Sequence, residues 1–322
     1  MALPHSLMLT LAPTFACRRA SPRLIHEFQH IAQRQFTTSP PQTLSDATTA
    51  APATPAGLTG TAPYHTALVL LHTHAPPAEY PARSRSPLWR ALTMKARGWG
   101  GTVNFVWSPE LRRLPGYTGL GEDKAADDLG REAYTASVFS HAHRYGRLEI
   151  PEVSLANLDE IDESLRKLVL GDASGSSGGR KLAQEEGEAL DRRLHLYVCT
   201  HGSRDCRCGE GGVAVARALR RELDKRGICP KDVVLGQVAH VGGHKYAANV
   251  LVYPYGDWLG NVQDFDVPHL LDDILAAHAA RQQEPSQSAL NAQELPPLSP
   301  VFWRGRMGLD KDEQMALLSR IT

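Results

Sequence analysis

Two loops in this chain carry thiols and imidazoles, and any fold it adopts must accommodate them. The first runs Cys199-Thr-His-Gly-Ser-Arg-Asp-Cys-Arg-Cys208-Gly209 and the second His240-Val-Gly-Gly-His244. Each follows a stretch of strand character. Leu194, Leu196 and Val198 alternate with His195 and Tyr197 and deliver Cys199, and Val233-Val-Leu-Gly-Gln-Val238 delivers His240. Between them, Gly211 to Arg226 reads as a helix with Val215, Ala216, Leu219 and Leu223 on one face, stopped by Gly227 and Pro230. Both ligand pairs then sit in loops at the C-terminal ends of neighbouring strands, where they can converge.

The elements that follow complete a small sheet. Asn249 to Tyr253 and Trp258 to Val262 read as two strands around Pro254-Tyr-Gly-Asp257. Asp266 then caps a helix with Pro268 in its first turn and Leu270, Leu271, Ile274 and Leu275 facing inward. Strand, helix, strand, ligand loop, hairpin, helix is a thioredoxin-like layout, so residues 191–281 are expected to form an α/β domain of that kind. A smaller α/β half is expected over 63–170. Its strands are Ala67 to Leu71, Thr102 to Trp107 and Ala136 to Phe139, and its helices are Pro87 to Lys95 and Leu158 to Leu170. The run Gly171 to Gly179 has neither period and makes 171–190 a flexible loop between the two. Residues 282–322 are read as a polar linker and a terminal helix begun by Asp310-x-x-Glu313.

The amino terminus has a different composition. Residues 1–36 carry Arg18, Arg19, Arg23 and Arg34, no lysine, and a single acid, Glu27. Leu24, Phe28 and Ile31 share one helical face. An arginine-rich, acid-poor, amphipathic start is the composition of a mitochondrial transit peptide. Such a segment would direct the chain to the mitochondrial matrix and be cut after Phe36. The rival is a secretory signal over the apolar stretch Leu7 to Ala16, which no positive charge precedes and Pro13 interrupts. Residues 37–62 are a Ser/Thr/Pro/Ala stretch with little to bury and read as a disordered linker.

Composition excludes several functions. The formal net charge is zero, which leaves nucleic-acid binding without an electrostatic basis. No apolar run has the length of a transmembrane segment. There are five cysteines, an odd number, and three of them fall between Cys199 and Cys208, which is the usage of metal or redox chemistry in a reducing compartment. No Gly-x-Gly-x-x-Gly follows a strand, so electrons must come from an external reductase and leave to an external acceptor.

Two thiolates and two imidazoles suit zinc or an iron–sulfur cluster. Structural zinc ordinarily uses closely spaced cysteines and a helical histidine pair, whereas here the cysteines are far apart and Gly242-Gly243 separates the histidines. A Rieske centre needs two Cys-x-His-type halves. Cys199-Thr-His201 imitates one, but no Cys-x-x-His follows. A [2Fe-2S] cluster with Cys199, Cys208, His240 and His244 as ligands fits best, with glycines at both loops and a helix N-terminus directed at the site. The competing readings are a zinc-stabilised adaptor without redox activity, separate core thiols and loop histidines, and thiol–disulfide exchange by Cys206 with Cys199 or Cys208. Exchange lacks the usual Cys-x-x-Cys motif. His72, His74, His141 and His143 are read as strand-end or loop residues, and Cys229 as a small buried apolar side chain.

These residues resemble the signature of the sucrase/ferredoxin-like family. Asn249-Val-Leu-Val-Tyr-Pro, Trp258-Leu-Gly and Asp266-Val are similar to the thioredoxin-like [2Fe-2S] ferredoxins. Trp303-Arg-Gly-Arg-Met-Gly-Leu resembles the tail of fungal mitochondrial members. The resemblance spans about residues 64 to 320 and is most specific over 194–270. It implies the ligand set Cys199, Cys208, His240 and His244, and it favours Cys208 over Cys206 because Gly209 follows Cys208 as the motif requires. It assigns His201, Arg204 and Asp205 to the motif without making them ligands, with hydrogen bonding to thiolates or imidazoles as their expected role. The implied activity is one-electron transfer or redox sensing, an electron carrier more than an enzyme with its own substrate. The name "sucrase" implies no glycosidase, and no carboxylate pair argues for one.

Overall fold

The structure is a computed structural model that describes residues 57–114, 132–142, 147–170, 193–283 and 295–321. The expected transit peptide, most of the first linker, the loop 171–190 and His143 lie outside the described residues. The first half contains β1 (Ala67–His72), α1 (Pro87–Arg97), β2 (Gly101–Trp107), β3 (Ala133–Ser140), β4 (Leu148–Ser154) and α2 (Leu158–Leu170). The second contains β5 (Leu194–Cys199), α3 (Val213–Lys225), β6 (Val233–Val238), β7 (Val250–Tyr253), β8 (Asp257–Leu259) and α4 (Val267–Gln283). It is followed by β9 (Trp303–Arg306) and α5 (Lys311–Ser319).

The α/β class expected from the sequence is observed, as is the thioredoxin-like order of the second half. There β5 runs parallel to β6 and antiparallel to β7, and β7 pairs antiparallel with β8. The first half repeats that pattern: β1 runs parallel to β2 and antiparallel to β3, and β3 pairs antiparallel with β4. It therefore matches the second half in topology rather than being a lesser appendage.

The halves meet where β2 pairs antiparallel with β6, giving one sheet in the order β4-β3-β1-β2-β6-β5-β7-β8-β9. His72 lies opposite Val106 in one parallel pair and Cys199 opposite Val238 in the other, so Val106 and Val238 are equivalent positions. They also lie opposite each other across the β2–β6 junction. Self-pairing of equivalent residues is what a two-fold relation between the halves requires.

The helices are specified locally and held by burial. In α1, Ser86 Oγ accepts a hydrogen bond from Trp89 N at 2.8 Å, Pro87 opens the first turn, and Leu88, Leu92 and Ala96 face the sheet. In α3, the buried side chains include Val215, Leu219 and Leu223, each contributing about 2 kcal/mol by removal from water. Asp310 and Glu313 form the expected capping box of α5. Asp266, expected as a cap, is instead the third residue of a box closed by Gln263, whose N–H it accepts at 2.8 Å. Among the described residues no helix is long and apolar enough to cross a membrane.

One face of the sheet packs on α1 and α2 through Val69, Leu71 and Phe105, and on α3 and α4 through Leu196, Val198 and Val252. The other face closes on itself. Phe139 of β3 stacks on Tyr253 of β7 with ring centroids 4.4 Å apart, although four strands lie between them in the sheet. Only a strongly curled sheet brings them together. His65, His72 and His195 are buried on this inner side.

Three segments depart from the sequence expectation. Residues Trp303 to Arg306, assigned to a linker, form β9 against β8. Their arginines gave no strand-like apolar alternation, yet Arg306 is buried on Asp257 with Nε–Oδ1 at 2.9 Å, and Trp303 Nε1 donates to the same carboxylate. The end of the first linker is also packed: Leu58 is buried and Thr61 N donates to Arg304 O. β4 was not expected because Pro151 interrupts it, which an edge strand tolerates.

Burial holds His65 and His72 at about 4, against 6.5 in an open chain. Between pH 6.5 and 4 the unfolded chain therefore binds protons that the fold refuses. Stability should be full above pH 6.5 and fall as pH drops toward 4, by up to about 3 kcal/mol per histidine. Thermal melts across that window should show the decline, and His72→Gln should make it shallower while lowering Tm at neutral pH.

Candidate metal centre

The centre is built at the C-terminal ends of β5 and β6. Cys199 is the last residue of β5; its N–H donates to Asn249 O, and the next N–H, of Thr200, donates to Val238 O. The chain then turns back in two tight steps. Asp205 N donates to His201 O, and Cys208 N donates to Asp205 O at 3.1 Å, which returns Cys208 to Cys199. Residues Cys208–Gly212 form a π-helical turn leading into α3, where a regular helix from Gly211 was expected. Gly212 passes so close to β5 that a Cβ there would sit 2.0 Å from Cys199 O.

The second loop is secured from the first half of the chain. Asn104 of β2 donates through Nδ2 to Ala239 O at 3.2 Å and His240 O at 3.4 Å. His240 N donates to His201 Nδ1 at 3.3 Å, which makes that ring nitrogen the acceptor. His201 Nε2 then carries the proton and donates to Pro81 O at 3.1 Å. Burial also keeps His201 below the usual imidazole range, consistent with a neutral ring of one tautomer. Ser203 Oγ donates to Tyr80 O at 2.6 Å, so the loop after β1 braces the loop after β5.

Cys199, Cys208 and His240 converge, with one ligand atom from each lying within 4.8 Å of the others. Cys208 Sγ is 3.8 Å from His240 Nδ1. The two thiols are electrostatically unlike. A hydrogen bond from Cys208 pulls the Cys199 thiol down against burial, helped by the backbone N–H groups of Val241 and His201 and by the charge of Arg304. The same bond, followed by burial, pushes the Cys208 thiol up. Of the two sulfurs, Cys199 is the readier to give up its proton.

His244 lies outside that compact group. Its ring stacks on His240 with centroids 5.6 Å apart, and its Nδ1 is 3.7 Å from Asp205 Oδ2. The His244 side chain is 48% exposed. Asp205 is itself held at about 2 by hydrogen bonds from Arg207. Cys206 is exposed, whereas Cys208 is buried.

The other singled-out residues lie elsewhere. His72 bonds Ser137 Oγ at 2.7 Å, His74 bonds Leu114 O, and His141 packs against Gly308. Cys229 is half-exposed and donates to Asp232 Oδ2, contrary to the expectation of a buried apolar thiol.

Sequence reasoning missed Asn104, Asn249 and Arg304, which touch the site from β2, the start of β7 and β9. The signals available were the Asn249-Val-Leu-Val-Tyr-Pro stretch and the Trp303-Arg-Gly-Arg tail, and nothing in the sequence pointed to Asn104. Gly243, at φ +67°, lies over Arg304: a Cβ there would be 2.3 Å from Nη2. Its glycine is thus required by both the left-handed backbone and the guanidinium beneath it.

The profile of the family described as Sucrase/ferredoxin-like matches residues 24–286. "Altered inheritance of mitochondria protein 32" of Meyerozyma guilliermondii is 41% identical over 83 residues, which are 25% of this chain and 29% of that protein. "Actin patches distal protein 1" of Saccharomyces cerevisiae is 31% identical over 94 residues, 26% of this chain and 30% of that protein. The similarity thus spans under a third of the length of these relatives. A solved thioredoxin-like [2Fe-2S] ferredoxin from Aquifex aeolicus is 22% identical, covering 26% of this chain and 80% of that one, with a TM-score of 0.23.

Gly212→Ala should drive a methyl group into the Cys199 carbonyl and cost about 1–3 kcal/mol, as overpacking does. Gly211→Ala, where a Cβ would meet nothing within 4 Å, should leave denaturant unfolding nearly unchanged. Equal midpoints for the two variants would contradict the close approach.

Proposed function

The chain belongs to the sucrase/ferredoxin-like family, and from that premise we propose that it is a one-electron carrier or redox sensor built on a [2Fe-2S] cluster. Cys199, Cys208, His240 and His244 would hold the cluster. The observation that carries this reading is the convergence of two buried thiols and one imidazole within 4.8 Å. The donors are chemically suited: soft sulfur and nitrogen, with Cys199 already acidified. Bound there, such a cluster supplies a single reversible electron.

The side chains set the conditions for that electron. Using imidazoles in place of a second pair of thiolates removes two negative charges from the ligand set, which eases addition of an electron and raises the potential above that of plant-type ferredoxins. His240 faces the thiols with Nδ1, which leaves Nε2 to hold or release a proton. His244 completes the set by turning from Asp205, and its exposure gives its second nitrogen access to solvent. Electron uptake is thereby coupled to proton uptake at alkaline pH. A reductase and an acceptor from outside the chain are the partners. The relatives' name and the arginine-rich start support a mitochondrial location, with the matrix as site of action; residues 1–36 fused to a reporter should direct it there.

The zinc-stabilised adaptor is retained on one observation. At about 2.3 Å for Zn–S and 2.0 Å for Zn–N, tetrahedral donors sit about 3.5 Å apart, and the 3.8 Å between Cys208 and His240 is already close to that.

Anaerobic purification separates the two. The cluster reading expects a reddish-brown protein with iron and acid-labile sulfide in equal amounts, and a rhombic paramagnetic signal on reduction. Colour should be lost in Cys208→Ser and kept in Cys206→Ser. The midpoint potential should fall with alkaline pH, approaching about 59 mV per pH unit for one proton per electron. A colourless protein holding only zinc would overturn this reading.

A further inference from the structure

Arg304 of β9 is a buried cation without an acid beside it. It is 1% exposed, and among the described residues no carboxylate lies within ion-pair distance of it. Arg306, two residues on and equally buried, is paired with Asp257. The partners of Arg304 are all neutral. Nη1 donates to Asn249 Oδ1 at 2.6 Å, Nη2 to Thr61 O at 2.7 Å, and Nε to Thr61 Oγ1 at 3.1 Å. Its guanidinium also lies 5.0 Å from the centre of the Tyr246 ring. A sequestered cation with only neutral acceptors is costly unless an anion nearby balances it. The thiols lie one residue away: Asn249, whose side chain accepts from Arg304 Nη1, accepts the Cys199 N–H at its carbonyl at 3.1 Å.

The same side chain sits under the histidine loop. Its Nη2 occupies the space that a Cβ on Gly243, the residue before His244, would need. Asn249, which receives Nη1 of Arg304, donates through Nδ2 to Gly243 O at 3.2 Å. Thr61, Arg304, Asn249 and Gly243 thus form a continuous chain of contacts from the amino-terminal segment to the backbone between the two histidines.

We propose that Arg304 is the positioning and charge-balancing residue of the metal centre: it fixes the His240–His244 loop through Asn249 and offsets the negative charge of the thiolate ligands. This deepens the electron-carrier reading and rests on it. When the centre gains one electron from an external donor, its charge becomes one unit more negative while Arg304 stays protonated. The buried cation therefore stabilises the reduced state more than the oxidised one.

The test uses the full-length holoprotein, purified anaerobically, as wild type, Arg304→Lys, Arg304→Gln and Asn249→Asp. Lysine keeps the charge and loses the fork; glutamine loses the charge; aspartate at 249 cancels it in place. Two quantities are read: the midpoint potential, and the rate at which a chelator strips the metal, which applies to iron or zinc alike. Arg304→Gln and Asn249→Asp should each disfavour reduction at least tenfold, about 59 mV for one electron, and Arg304→Lys should stay within threefold of wild type. Metal release should accelerate at least tenfold in Arg304→Gln. If Arg304→Gln does not fold, Asn249→Asp decides the charge effect with the guanidinium still in place. A wild type that keeps its centre while no variant moves either quantity overturns the role of Arg304 alone. A wild type that binds no metal overturns the electron-carrier reading and this inference together. A zinc-only wild type overturns the electron-carrier reading, and the metal-release rates then decide whether Arg304 still supports the site.

Discussion

The parallel pairing of β5 with β6, with Cys199 opposite Val238, is the contact on which the site depends. It sets the end of one strand level with the end of the other, so that Cys199 and His240, far apart in the chain, leave the sheet side by side. A shift of this register by one residue would turn Cys199 from the inner face to the helical face. The crossover helix α3 that parallel pairing demands is also what returns Cys208, because the turn that begins α3 starts at that cysteine. Strand register and helix entry together place both sulfurs. The histidine loop is then secured by groups that belong to neither strand.

One of those groups, Asn104, comes from the other half of the chain, and the two-fold relation between the halves explains why it is available. Antiparallel pairing of β2 with β6 puts the first half against the strand that delivers His240, where Asn104 reaches the carbonyls of Ala239 and His240. In this relation His72-Thr73-His74 is the counterpart of Cys199-Thr200-His201. Thr73 N donates to Val106 O as Thr200 N donates to Val238 O. Where the second half has a thiol, the first has an imidazole closed off by Ser137 and the carbonyl of Arg112. The same strand-end position thus carries a proposed ligand in one half and a packed, neutral core residue in the other. The difference is the chemistry of one side chain and of what surrounds it.

Much of the second half was legible because its elements obey local rules. Alternation over Leu194 to Val198, the helical stripe of Val215, Leu219 and Leu223, and the Asp310–Glu313 box each follow from short-range geometry. The elements that escaped were those held by long-range polar contacts. β9 reads as a charged tail until Asp257 is placed against Arg306 and Trp303, and the segment around Leu58 belongs to a linker by composition until Thr59 and Thr61 hydrogen-bond β9. β4 is obscured by Pro151, which only its outermost position in the sheet permits.

The sequence by itself determined which donor atoms exist, that each pair follows a strand, and that glycines free the backbone around them, since residue type and local periodicity are enough for those statements. It also carried the family signature. Tertiary structure decided which donors converge: Cys208 turns inward while Cys206 faces solvent, and His240 meets the sulfurs while His244 rests against Asp205. It alone brought Arg304 beneath Gly243, because a guanidinium some sixty residues away along the chain is related to the histidine loop only through the curl and order of the sheet. The electrostatics of the proposed ligand set are therefore a property of the whole fold, not of the motif.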